Sequence, residues 1–258
     1  MSRTWNLIKL IILIIVTLFV IWLFSYLMKG NSINIGFKTN ESTEEVYSDI
    51  YDTIFDEITI DSVASNIYVK NSNDNRIRLS VTGNQSDVNV EEYGNKLNIE
   101  TSTPRCRVFC FNKKISSVTL YVPSDYDNVI NINNDFGDIK IGDLSFANIE
   151  VREDAGDVDI KGVNNVKVDN KLGDIKIHKV NSSLILINNM GDIKIDNVNL
   201  LIDSYIENNM GDIKVGKTND INIDAETGLG DVDINRIHRE SKTKLTIKND
   251  LGDIKVNN

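Results

Sequence analysis

The 258-residue sequence holds only two prolines, Pro104 and Pro123, and only two cysteines, Cys106 and Cys110. With so little proline, long stretches of regular structure go unbroken. Cys106 and Cys110 form a C-x3-C pair with no further cysteine and no neighbouring histidine, a poor basis for a metal site. The two histidines, His178 and His238, each follow an apolar pair in a polar stretch, which places them on the surface. No G-x-S-x-G, H-E-x-x-H, P-loop or dinucleotide fingerprint occurs. These absences point away from an enzyme, and they assign no catalytic residue, cofactor or metal. Basic residues are scarce too: 28 Lys and Arg against 38 Asp and Glu give a net charge of −10. Only Arg3 and Lys9 precede residue 28, so the rest carries 26 basic and 38 acidic residues, or −12. Nucleic-acid binding is excluded on that balance, because a phosphate backbone selects clustered Lys and Arg.

Hydrophobic content is 41%, dominated by Val and Ile. Its first concentration is Leu10 to Met28, 19 residues without a charge. As a helix this run would span roughly 28 Å, close to the hydrocarbon thickness of a bilayer. Trp5, Trp22 and Tyr26 lie near its ends, where amphipathic rings prefer the interface. The run closes on Phe24-Ser25-Tyr26-Leu27-Met28-Lys29 without a small-residue cleavage site, so it reads as an uncleaved signal anchor. Arg3, Lys9 and the amino terminus before it, and Glu41, Glu44 and Glu45 after it, favour a short cytoplasmic segment (1–9) and an exported body. The expectation is a single-pass protein of the cell membrane with a polar linker at 29–50.

Beyond the linker an internal repeat dominates. Gly-Asp followed by Ile or Val recurs with Gly at 137, 156, 173, 191, 211, 230 and 252, at spacings of 19, 17, 18, 20, 19 and 22. An apolar residue always precedes the glycine: Phe136, Ala155, Leu172, Met190, Met210, Leu229 and Leu251. Three before it stands Asn134, Asn170, Asn188, Asn208 or Asn249, with Glu153 and Thr227 as exceptions. Two and four after it come aliphatic residues, as in Ile139/Ile141 and Ile175/Ile177, and a second alternating pair precedes the next unit. Alternation with period two puts each pair on one face of a strand, and the Asn-x-φ-Gly-Asp stretch (φ here an apolar residue) is turn chemistry. One such unit cannot bury its apolar face alone, whereas stacked copies form a continuous core. The pattern predicts an all-β solenoid, like a parallel β-helix with about 17–22 residues per turn, over residues 51–258. Residues 51–132 carry degenerate rungs (Ile58-Thr-Ile60, Ile67-Tyr68-Val69, Leu97-Asn-Ile99), and 133–258 the regular ones.

On the seven G-D-[IV] units, the Asn-rich corners and the degenerate first half, residues 50–258 resemble the bacterial "putative adhesin" domain family. The resemblance implies a β-solenoid on the cell envelope, often behind a membrane span, without established enzyme activity and without a defined ligand.

Four features are candidate sites. The aspartates after the repeat glycines (Asp138, Asp157, Asp174, Asp192, Asp212, Asp231, Asp253) form a file that could hold Ca²⁺ between rungs. The blander expectation is neutralisation by the file two residues on, Lys140, Asp159, Lys176, Lys194, Lys214, Asp233 and Lys255. Three consecutive lysines there, Lys176, Lys194 and Lys214, are a possible contact face for an anionic wall polymer. Arg105-Cys106-Arg107-Val108-Phe109-Cys110-Phe111 is basic and aromatic in an acidic protein: Arg105, Arg107, Phe109 and Phe111 read as a contact loop, or the segment as a strand with both thiols inward. The last rung, Gly252-Asp-Ile-Lys-Val-Asn-Asn258, offers an open end for self-association or partner docking. The sequence therefore points to a membrane-anchored binding or scaffolding module of the cell envelope, in adhesion or envelope-stress sensing, with an envelope protein or wall polymer as partner. A glycan-active β-helix enzyme is the alternative, disfavoured because Phe136, Phe146 and Tyr205 are the only aromatics in the repeats and Phe136 takes an inward-type position.

Overall fold

The computed structural model describes residues 44–83, 88–102, 116–236 and 239–257. Among them no helix is long and apolar enough to cross a membrane. The run Leu10–Met28, the linker up to residue 43 and the Cys106–Cys110 segment lie outside the described residues.

The strands form two faces joined by corners, and each turn of chain contributes one rung to both. Along the first face, parallel neighbours run Lys96–Thr101, Glu57–Ser62, Val129–Phe136, then 148–155, 165–170 and 183–188, then Ser204–Met210, Lys244–Leu251 and Asn222–Leu229. Along the second they run Ser116–Val122, Ser65–Asn71, 139–144, 158–163, 175–180, Ile193–Val198, Ile213–Thr218, Ile254–Val256 and Val232–Ile234. The aliphatic pairs point inward as their alternation requires: Ile139, Ile175, Ile177, Leu184, Leu186, Ile247 and Ile254 are wholly buried. Among the described residues every buried core residue lies between 51 and 256, so this part of the chain carries its own core and folds as a unit.

The stack does not follow chain order at either end. The rung of 244–256 inserts between the rungs of 204–218 and 222–234, and the rung of 96–122 lies outside that of 57–71. At the early end antiparallel strands close the stack. Ile77–Thr82 pairs with Ser116–Val122, Glu45–Tyr51 with Ile77–Thr82, and Val88–Tyr93 with Lys96–Thr101. The last pairing turns tightly at Gly94 (φ 60°) and Asn95, a residue pair suited to a two-residue hairpin. The strand Glu45–Tyr51 starts the domain six residues before the position expected from the repeat, inside what reads as linker.

The sharp corner explains the motif. The repeat glycines stand in one column in the order 137, 156, 173, 191, 211, 252, 230. A Cβ on Gly191 would fall 2.1 Å from the Gly173 carbonyl oxygen, and its φ of 134° disfavours any side chain. The corner asparagines are buried and donate to the glycine carbonyls. Nδ2 of Asn188 reaches Gly191 O at 3.1 Å and Gly173 O at 3.3 Å, and that of Asn249 reaches Gly211 O at 2.9 Å. Both exceptions fit the file: the Thr227 hydroxyl donates to Gly252 O at 3.0 Å, and Glu153 accepts from Asn134 Nδ2 at 2.9 Å and from the Ala155 N–H at 3.2 Å.

The residue before each glycine does not point inward. Phe136 is 57% exposed, and Leu172, Met190, Met210, Leu229 and Leu251 are exposed with it. The turn that buries the asparagine rotates the next two positions outward, overriding the strand alternation from which the inward reading of Phe136 came.

Two predictions follow from the corner. Gly191→Ala forces a methyl group against a backbone carbonyl in a left-handed conformation and lowers stability by about 3 kcal/mol in chemical denaturation; an unchanged midpoint would contradict the column. Burial raises the Glu153 carboxyl from 4.5 to about 7 against the opposing help of its hydrogen bonds. The native state then holds a proton that the unfolded chain releases, so stability falls as pH rises from 4.5 to about 7 and levels off above. Glu153→Asn, the residue used at the other corners, flattens that slope in denaturation midpoints measured across the same range.

Candidate functional site

In every Gly-Asp-φ-Lys-φ strand of the second face the two aliphatic residues are buried, so the residue between them faces water. Register aligns these residues as Tyr68, Lys140, Asp159, Lys176, Lys194, Lys214, Lys255 and Asp233. The sequence places Lys176, Lys194 and Lys214 side by side; the inserted rung adds Lys255 next to Lys214. Four lysines thus stand in consecutive rungs, bounded by Asp159 and Asp233. At roughly 4.8 Å per rung they cover about 14 Å. The insertion has one trace in the sequence, the longest spacing of the series, 22 residues from Gly230 to Gly252.

The aspartates of the corner make no ion pair with these four lysines. Their carboxylates accept the backbone N–H of the aspartate in the adjacent rung: Asp157 from Asp174 at 2.9 Å, Asp174 from Asp192 at 2.8 Å, Asp192 from Asp212 at 2.8 Å, Asp212 from Asp253 at 2.9 Å and Asp253 from Asp231 at 2.9 Å. Only Lys140 and Asp138 pair as the two-residue offset predicts, at 3.9 Å. Lys194 lies 3.5 Å from Asp196 and Lys255 3.7 Å from Asp233. No ion pair joins Lys176 or Lys214 to another described residue. Pairs this exposed hold loosely, typically at 0–1 kcal/mol, and leave an ammonium free to exchange partners. Backbone bonding accounts for the aspartate file without Ca²⁺, and no group of three or more His, Cys, Asp or Glu among the described residues could hold a metal ion.

At the head of the lysine file lies a cleft of about 540 Å³ lined by Tyr68, Lys70, Lys140, Asp143, Asp159 and Lys161. The Lys70 ammonium stands 5.3 Å from the centre of the Tyr68 ring and 5.7 Å from that of Tyr121, held over two aromatic faces. Sequence reasoning missed this cleft because its lining comes from separate strands, with Lys140 72 positions after Tyr68 and Asp159 in a further rung. His178 is partly exposed, as expected, with Nδ1 2.8 Å from Asp196 and Nε2 3.5 Å from Asp159. Arg105, Arg107, Phe109, Phe111 and His238 lie outside the described residues.

The expectation of an open end at residues 252–258 is corrected. Ile254–Val256 pairs on both sides, with Ile213–Thr218 and with Val232–Ile234, and so presents no free edge. The far end of the stack is the rung of 222–234, whose outward residues Asp224, Glu226 and Asp233 are acidic. Each of them is ion-paired to a lysine of the neighbouring rung: Asp224 to Lys244 at 2.7 Å, Glu226 to Lys248 at 3.1 Å and Asp233 to Lys255 at 3.7 Å.

No curated protein matches this sequence. Among solved structures, a putative adhesin from Bacteroides fragilis is 20% identical and has a TM-score of 0.54, with 84% of this chain and 99% of that chain covered. A putative cell adhesion protein from Clostridium sporogenes is 14% identical with a TM-score of 0.40, covering 82% of this chain and 98% of that one. The first likeness supports the fold described above. Residues 55–258 match the family model described as Toastrack DUF4097, and the chain belongs to that family.

Proposed function

We propose that the domain is a non-catalytic binding module of the cell envelope that holds an anionic polymer along its lysine face. The observation that carries this reading is the row of Lys176, Lys194, Lys214 and Lys255 in four consecutive rungs, two of them without an ion partner among the described residues. A polymer with repeated phosphates or carboxylates offers charges at intervals, and a rigid stack meets them with cations whose spacing is already set. Each contact is weak, and their sum depends on the row staying aligned. The adhesin name of the Bacteroides fragilis protein accords with a role in contact. The uncharged run Leu10–Met28 supports a single membrane span that holds the module outside the cytoplasm.

The test uses residues 39–258 and an immobilised poly(glycerol phosphate). The unsubstituted domain is retained at low salt and released as salt rises. Replacing Lys176, Lys194, Lys214 and Lys255 together by Gln weakens retention by about tenfold or more; undiminished retention of that variant would sink the proposal. For the anchor, deletion of residues 1–38 moves the protein from the membrane pellet to the soluble fraction, and persistence in the pellet would count against it.

A further inference from the structure

Across the aspartate file from the lysines, the rim of the sharp corner carries Phe136, Leu172, Met190, Met210, Leu251 and Leu229, in that spatial order with Ala155 between the first two. Each of the six is between 39% and 70% exposed. Single exposed apolar residues are ordinary, but these adjoin one another over seven rungs, about 29 Å at 4.8 Å per rung. The fold does not demand them. The side chains stand outside the core, and the neighbouring exposed position varies freely among Asp135, Asp154, Lys171, Asn189, Asn209 and Asp250. The rim is apolar in every unit while its neighbour is not, so water alone does not account for it.

The surroundings indicate what would cover it. On one side run the seven aspartates of the corner; six of them accept a backbone N–H from the adjacent rung, which fixes their position and leaves their charge in place. On the other side stand Asp135, Asp154 and Asp250, and the single cation there, Lys171, is ion-paired to Asp154. The result is an apolar ridge with a continuous acidic bank along the corner and, on its other side, a mixed one that is acidic at Asp135 and Asp250 and carries Asn189 and Asn209 beside the methionines. An anionic bilayer would be repelled by those banks, and so would a second copy of a chain with net charge −10. Two of the chain's four methionines, Met190 and Met210, are adjacent at the middle of the ridge. Their unbranched, polarizable side chains adapt to irregular apolar surfaces.

We infer that this ridge is a protein-docking surface whose partner presents an apolar stripe edged by Lys or Arg. The site is separate from the lysine face, which lies beyond the aspartates and attracts the opposite charge. Residues 39–258 are titrated, with fluorescence anisotropy as readout, against a synthetic amphipathic helix of leucine and lysine and against its leucine–glutamate counterpart. The basic helix binds, and the variant whose four lysines are Gln, which lacks the polymer face, does not bind the acidic one. Met190→Asn with Met210→Asn weakens the basic helix by about tenfold or more, since two apolar contacts are lost, while the melting curve stays unchanged. Replacing the four lysines by Gln leaves this binding intact, which separates the ridge from the polymer face. Equal binding of both helices by the lysine-to-Gln variant, or undiminished binding of the basic helix by the methionine variant, overturns the inference. A dimer, or adhesion to anionic vesicles, that the methionine variant abolishes would also overturn it, in favour of a second copy or a lipid surface.

Discussion

At the sharp corner the backbone of one rung passes so close to the next that a methyl group on any glycine of the column from 156 to 252 would sit 2.0–2.2 Å from a neighbouring carbonyl oxygen. Backbone packed that tightly cannot be solvated, yet its N–H and C=O groups still require partners. Three recurring features of the repeat answer that requirement together. Glycine permits the approach, the buried asparagine donates to the glycine carbonyls, and the aspartate accepts the next rung's N–H. From Asp157 to Asp253 the aspartates therefore bond along the stack rather than across the strand to a lysine. The motif is a backbone-satisfying device, and its regularity is that of stacking, not of ligand binding.

Because the corner aspartates from Asp157 to Asp253 are held by backbone N–H groups of the adjacent rung, their carboxylates do not reach the lysines two residues later, which make only scattered, exposed ion pairs. This is the physical link between fold and candidate site: backbone bonding fixes where the aspartate charge sits and keeps it in a file separate from the lysines. Glu153 shows the same constraint from inside. At the one corner where a carboxylate replaces the asparagine, burial holds its proton on to about pH 7.

Much of this was legible in the sequence. Spacing and alternation identified the rungs, the inward pairs such as Ile175/Ile177 and the glycine column, because they are local consequences of strand and turn geometry. What escaped was anything decided between rungs. Stack order cannot be read from repeats of near-equal length, so the place of 244–256 inside the stack, and with it Lys255 beside Lys214, came only from the pairings. The antiparallel closure of Glu45–Tyr51 and Ile77–Thr82 lacks the repeat's glycine and left no comparable mark. Phe136 was misplaced for a different reason: alternation holds within a strand and lapses where the corner turns two successive residues outward.

The arrangement around the corner also bears on why the rod is long. Relative to each glycine, an apolar residue lies one before, an aspartate one after and a lysine or aspartate three after, so three parallel files of different chemistry run side by side. Aspartate and lysine files are about 7 Å apart along the strand. One exposed lysine holds an anion weakly, and one exposed methionine covers little surface. Repetition on a rigid scaffold changes this, because the core has already met the entropic cost of ordering the row and each further rung adds contact without adding much freedom to lose. Affinity in such a module scales with the number of aligned rungs. The insertion at 244–256 matters in those terms: stacked in chain order, Asp233 would stand between Lys214 and Lys255 and interrupt the row, whereas the observed order moves that aspartate to the end and keeps four cations contiguous.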